Sequence, residues 1–229
     1  MTLILSHSDV AGLIDRAEVF AAVERAHADL AAGTASAPAP PAMTLQSAAF
    51  VPMVAAAQSA GAAAVKMLVD LPGNAARGLP VQRSAVLVTS ADTGECEALL
   101  DGRLITAVRT AAASAVATKH LARRGSRVLG LVGAGTLAVE HARAITRVSD
   151  VETVLVWSRS DATIEEFRSR TEDLGISVKP MDSPEAVTRS SDVLCNNSVG
   201  IGLQDLAAAR ILIDRARERG VGTEVDLSR

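Results

Sequence analysis

The feature that most constrains this chain is a glycine turn in a particular setting. The apolar run Arg127–Val132 leads directly into Gly133-Ala134-Gly135-Thr136-Leu137-Ala138, and a helical pattern follows to about Val148. A G-x-G-x-x-A sequence that closes a buried strand and opens a helix is the fingerprint of a dinucleotide-binding turn. The first glycine permits the tight turn. The second lets the main chain approach a pyrophosphate, and the third position must be small so that helix and strand pack closely. The helix start adds free N–H groups and a partial positive charge. Gly133, Gly135, Thr136 and Leu137 are therefore the expected cofactor contacts. A glycine turn in some other α/β protein carries the same letters, so the weight rests on the strand before it and the helix after it.

The residues beyond the turn repeat the alternation. Thr153–Trp157 reads as a strand, Ala162–Leu174 as a helix, Ile176–Lys179 as a strand, Pro184–Arg189 as a helix and Asp192–Cys195 as a strand. Such alternation implies a parallel sheet with helices on its faces. The tip of the second strand normally carries the ribose selector, Asp or Glu for NAD and Arg for NADP. Here the tip reads Trp157-Ser158-Arg159-Ser160, with no acid before Asp161. Ser158 and Arg159 suit a 2′-phosphate, which favours NADP(H), with NAD(H) the other candidate. The alternative for Arg159 is a solvated loop residue.

The first part of the chain has another texture. A helical pattern runs from Ser8-Asp9 to about Gly33, and a Pro-rich piece covers Ala37–Ala42. Short β-like runs follow at Ala48–Ala56, Ala62–Asp70 and Ser84–Thr89, then an Ala-rich helix from Asp101-Gly102 to about Arg123. Two charged residues stand out against apolar surroundings. Lys66 shares one strand face with Ala64 and Leu68, where it is either a fixed cation for a substrate carboxylate or an edge lysine facing water. Arg109 sits among small residues of the long helix. It either grips a carboxylate or phosphate or lays its stem along the alanines at the surface. His7, His27, His120 and His141 lack metal-ligand spacing, and no metal site is expected.

Composition excludes several classes. The chain has 229 residues with 48% hydrophobic and 2% aromatic content, too apolar for disorder. Its formal net charge of −3 and its scarcity of aromatics argue against a nucleic-acid partner. The longest uncharged stretch, Ala31–Val65, is broken by Pro38, Pro40, Pro41, Pro52 and Gly61, so no membrane span is expected. The N-terminus lacks a basic leader, and Cys96 and Cys195 are the only cysteines. Both points fit a cytoplasmic location.

Several motifs in order resemble the ornithine cyclodeaminase and mu-crystallin family. They are Lys66, Pro72-Gly73-Asn74, Gly78-Leu79-Pro80, Asp92-Thr93-Gly94 and Leu100-Asp101-Gly102, then Ile105-Thr106 and Arg109-Thr110-Ala111-Ala112. Val132-Gly133-Ala134-Gly135 and the closing Ser198-Val199-Gly200-Ile201-Gly202-Leu203-Gln204-Asp205 complete the series. The resemblance implies a shortened Rossmann-type parallel sheet, residues 123-202, inserted into an α+β substrate and dimerisation domain, residues 1-122 plus 203-229. It also implies a homodimer. Lys66 and Arg109 would hold the substrate carboxylate, and Thr110, Ser198 and Gly200 would join the glycine turn at the cofactor. The implied activity is NAD(P)-dependent oxidoreduction or cyclodeamination of a small amino acid or its cyclic imine, by hydride transfer at the α-carbon.

The sequence also departs from the family pattern. Met43 stands where the family usually has an Arg, and Leu137 where it usually has a Gln. A long segment is missing between Asp192-Val193-Leu194-Cys195 and Asn196-Asn197-Ser198. That segment carries the later Rossmann strands and a catalytic Asp, so about four strands are expected to remain. Met43 and the missing Asp support the alternative, a catalytically impaired NADP(H)-binding protein like mu-crystallin.

Overall fold

The computed structural model describes residues 1–195 and 200–227. In chain order the elements are β1 (Thr2–Leu5), α1 (His7–Leu13), α2 (Arg16–Ala31), β2 (Ala35–Ser36), β3 (Met43–Leu45), β4 (Ala48–Ala57), β5 (Ala62–Asp70), β6 (Gln82–Ser90), β7 (Cys96–Asp101) and α3 (Arg103–Leu121). Next come β8 (Val128–Val132), α4 (Thr136–Ile145), β9 (Thr153–Trp157), α5 (Asp161–Thr171), β10 (Ser177–Pro180), α6 (Pro184–Ser190) and β11 (Val193–Cys195). The chain ends with α7 (Gly202–Arg219) and β12 (Thr223–Val225). It divides into two compact units, one of Met1–Arg109 with Gly200–Arg229 and the other of Thr110–Val199, so α3 contributes to both.

The first unit is built on an eight-stranded sheet in the order β12-β1-β7-β6-β5-β4-β2, with β3 paired to β4. Its strands alternate as period-2 pleating requires. Along β5, Ala62, Ala64 and Lys66 are buried while Val65 and Met67 are exposed. The buried face carries Met53, Val86, Val88 and Leu100, and the helix core includes Val19, Val23, Leu206, Leu212 and Ile213, all under 2% exposed. The single N-terminal helix expected from Ser8 to Gly33 is two helices. Ile14 is extended, and the Asp15 carboxylate accepts from the amides of Ala17 and Glu18 at 2.8 and 3.1 Å, starting a second helix. Such a cap satisfies orphan donors that a continuous helix would have paired.

The second unit holds a four-stranded parallel sheet in the order β10-β9-β8-β11. Numbered within the unit that order is 3-2-1-4, the first four strands of a doubly wound nucleotide-binding sheet. The fold class is thus the expected one, a shortened Rossmann-type sheet inserted into an α+β unit, and the four-strand expectation agrees with it. Gly130, in the middle of β8, has a structural reason. A Cβ there would lie 2.6 Å from Ser191 Oγ and 2.9 Å from Val187 Cγ1, so only glycine lets α6 sit against the strand.

Candidate functional site

In the second unit the sheet order reverses between β8 and β11, and α/β sheets bind ligands at such switch points. A cavity of about 200 Å³ opens there, lined by Val132, Gly133, Gly135, Leu137, His141 and Cys195 among others. Gly133 has φ +114°, a conformation that L side chains rarely adopt, and a Cβ on Gly133 or Gly135 would meet nothing within 4 Å. The turn is therefore an open cradle. Its amide points back into the fold, Gly133 N–H donating to Trp157 C=O at 2.8 Å. That bond ties the glycine turn to the tip of β9, beside Ser158 and Arg159. No side chain caps the start of α4, and its first turn carries no acid. Its leading N–H groups are available to an anion.

Two residues of this unit, His141 in the cavity wall and Arg170 at the start of α4, were not singled out as site residues from the sequence. His141 Nδ1 lies 2.8 Å from Leu137 C=O, which only an N–H can satisfy, so the remaining Nε2 accepts from Ser114 Oγ–H at 2.9 Å. Burial lowers the His141 pKa, which keeps this wall neutral. Arg170 Nη1 donates to Thr136 Oγ1 at 3.2 Å and pairs with Glu166 at 3.3 Å. It brings a guanidinium, partnered by Glu166, to the positive end of α4. The signal for Arg170 in the sequence was absent, because nothing in its spacing from Thr136 connects the two.

In the first unit, β5 and α3 bring Lys66 and Arg109 to a common partner. Asp205, on the first turn of α7, accepts from Lys66 Nζ and from Arg109 Nε at its Oδ1, each at 2.9 Å. Lys66, Arg109 and Asp205 are 0, 2 and 1% exposed. Arg109 Nη1 also donates to Gln204 Oε1 at 2.8 Å, and Gln204 Nε2 meets His27 Nε2 at 3.1 Å. Lys66 further reaches Thr106 Oγ1 at 3.3 Å. Burial pushes the Lys66 ammonium down to about 8; the Arg109 charge adds to that and Asp205 opposes it. Neither residue is a surface or edge cation: β5 lies between β4 and β6 in the sheet interior, and Arg109 is buried on α3.

Gly200 packs against this cluster: a Cβ there would fall 1.3 Å from Arg109 Nη1. Thr110 is buried on α3. Ser198 lies outside the described residues. Among the described residues no group of three His, Cys, Asp or Glu side chains is arranged for a metal, and no helix is long and apolar enough to cross a membrane.

These two arrangements can be set against known proteins. The alanine dehydrogenase of Archaeoglobus fulgidus is 35% identical over 185 residues, covering 81% of this chain and 57% of its own length. Delta(1)-pyrroline-2-carboxylate reductase 1 of Burkholderia multivorans is 32% identical over 194 residues, covering 84% of this chain and 61% of its own. The chain thus spans less than two-thirds of these relatives. The structure of Thermococcus litoralis Delta(1)-pyrroline-2-carboxylate reductase, in complex with NADH and L-proline, superposes with a TM-score of 0.86 at 25% identity. That superposition covers 98% of this chain and 100% of that one. The model of the ornithine cyclodeaminase/mu-crystallin family matches residues 1–196, and the chain belongs to that family.

Proposed function

We infer that the chain binds a nicotinamide dinucleotide at the glycine turn and a small amino acid, or its cyclic imine, at the Lys66–Arg109 pair. The reaction is hydride transfer at the α-carbon. The observation that carries this reading is the charge balance of the buried cluster. Lys66 and Arg109 together face one carboxylate, Asp205, leaving one positive charge in a site sealed from water. A buried, uncompensated charge is costly, and a substrate carboxylate supplies the missing negative one. Gln204 Oε1 is a neutral acceptor on Arg109. A carboxylate displaces it because a bond between two ionised groups is stronger than one to a neutral amide. The amino and imino acids named for the relatives support the same substrate class.

The residues of the second unit fit the cofactor. The open cradle at Gly133 and Gly135, the uncapped amides at Thr136 and Leu137, and the Arg170 guanidinium suit a diphosphate. Thr110 keeps its assignment beside it. When bound, the dinucleotide supplies or accepts the hydride. Ser158 and Arg159, with no carboxylate at that strand tip, favour NADP(H) over NAD(H). In this reading residues 1-122 and 203-229 form the substrate and dimerisation part, and 123-202 the dinucleotide part.

Two observations favour the second reading, a cofactor binder with impaired chemistry. Among the described residues the sheet of the second unit has no strand after β11, and the cations are closed over by Asp205 and Gln204. Trp157, the only tryptophan, reports on the cofactor that both readings share, and turnover separates them. Its emission is expected to be quenched on titration with NADPH, and less by NADH. The protein is then expected to oxidise NADPH in the presence of Δ1-pyrroline-2-carboxylate. Lys66→Ala and Arg109→Ala should each lower kcat/KM by roughly tenfold to a hundredfold, the loss of one hydrogen bond to a charged group. Unchanged Trp157 emission with both cofactors removes the dinucleotide site. Quenching without turnover across a panel of imines leaves the binder.

The homodimer belongs to this proposal too. The face of the large sheet away from α2 and α7 exposes Val65, Leu87 and Leu99 at 41, 38 and 39%. They stand directly opposite one another across β5, β6 and β7. An exposed apolar row can mark an association surface, and a second copy meeting the same row forms a self-complementary contact. Leu87→Asp should weaken association at least tenfold, read by sedimentation equilibrium. A wild-type protein that sediments as a monomer at all concentrations would refute this contact.

A further inference from the structure

Asp205 has an oxygen that the cation pair does not use. Its Oδ1 accepts from both Lys66 and Arg109, while Oδ2 is buried with no hydrogen-bond partner among the described residues. Leaving a buried acceptor unpaired is costly, and natural proteins keep few such atoms without a reason. An orphaned carboxylate oxygen beside two cations asks for a donor. The cations themselves ask for an acceptor, since they share one Asp205 oxygen and Arg109 otherwise meets the neutral Gln204 Oε1. A single ligand meeting both demands has a carboxylate and an N–H on neighbouring atoms.

We propose that Asp205 reads the nitrogen of the substrate, its Oδ2 accepting from the amine or iminium N–H of an α-amino or α-imino acid whose carboxylate engages Lys66 and Arg109. This rests on the substrate site assigned above and adds to it the group that distinguishes nitrogen-bearing acids from plain carboxylic acids. The assignment has a consequence for a chain with a shortened Rossmann sheet. A carboxylate facing the reacting nitrogen is present on α7, in the first unit, independently of any residue of the second. Asp205 holds the positive charge of an iminium in place, and its geometry is set by the same two bonds that fix the cations.

The test compares two ligands of nearly the same shape, L-proline and cyclopentanecarboxylate, by calorimetry with the full chain. Wild type should bind L-proline tenfold to a hundredfold more tightly, the range for a hydrogen bond to a charged group. Asp205→Asn should bring that ratio close to one while cyclopentanecarboxylate still binds. A purely structural Asp205 would instead weaken both ligands and keep the ratio, which overturns the proposal. Equal affinity for the two acids in wild type also overturns it, whether or not the variant folds, and leaves the carboxylate site standing. Failure of wild type to bind either acid defeats the carboxylate site, and the nitrogen contact with it.

Discussion

Asp205→Ala is expected to lower the unfolding free energy by about 3–5 kcal/mol, the usual cost of removing one partner from a buried ion pair. The reason lies in what remains. Lys66 and Arg109 are almost fully enclosed, and each loses its 2.9 Å bond to Oδ1. The pH dependence of the deficit identifies its origin. Burial already holds Lys66 at about 8, below its ordinary 10.5, so between those values the unfolded chain binds the extra proton and wild-type stability rises with pH. Asp205 opposes that depression, so without it the folded-state value falls further. The variant then begins to gain stability at a lower pH than wild type. Its deficit shrinks as pH rises toward about 8, and above that both proteins gain in parallel. Urea titrations from pH 6 to 10 measure this; a deficit that does not change with pH would mean that lost packing, and not stranded charge, dominates.

Gly202→Ala is the second large effect, and it acts through shape alone. A Cβ at Gly202 would lie 2.7 Å from the Val54 carbonyl carbon and oxygen and 2.8 Å from its nitrogen. Those atoms belong to β4, which is paired along its length with β5. The strand cannot yield, so α7 must lift. Overpacking of this kind typically costs about 1–3 kcal/mol and sometimes more. Because Gln204 and Asp205 stand two and three residues further along α7, carboxylate binding should fall with stability. Gly12→Ala is the control. Gly12 lies exposed in α1 with nothing within 4 Å of its would-be Cβ, and alanine there should be neutral or stabilising by up to about 1 kcal/mol. Thermal melts of the two variants make the comparison; a Gly202→Ala melt equal to wild type would show that α7 does not sit on Val54 as described.

Local chemistry explains what could be read early. The glycine turn, the strands β8, β9, β10 and β11 and their helices follow from short-range patterns: apolar runs, turn residues and caps that each operate within a few positions. The β5 strand and the odd placement of Lys66 in it were legible for the same reason. The short strands β1 and β12 were not, since each is held by partners far away in sequence. β1 lies between β7 and β12, pairing Leu3 with Ala98 and with Glu224. No local pattern announces such a strand.

The site divides along the same line. Sequence alone marked Lys66 and Arg109 as charges in apolar company, and marked Gly133 and Gly135 as a place where the main chain meets phosphate. It offered no reason to join Lys66 to Asp205, 139 positions later, or Arg170 to Thr136, 34 positions earlier. Those pairings arise only when α7 returns to lie on β5 and when α5 packs beside α4. Electrostatics acts through space with a strength that depends on burial, so the partner and the surroundings that set a buried charge are properties of the folded chain and not of its order of residues.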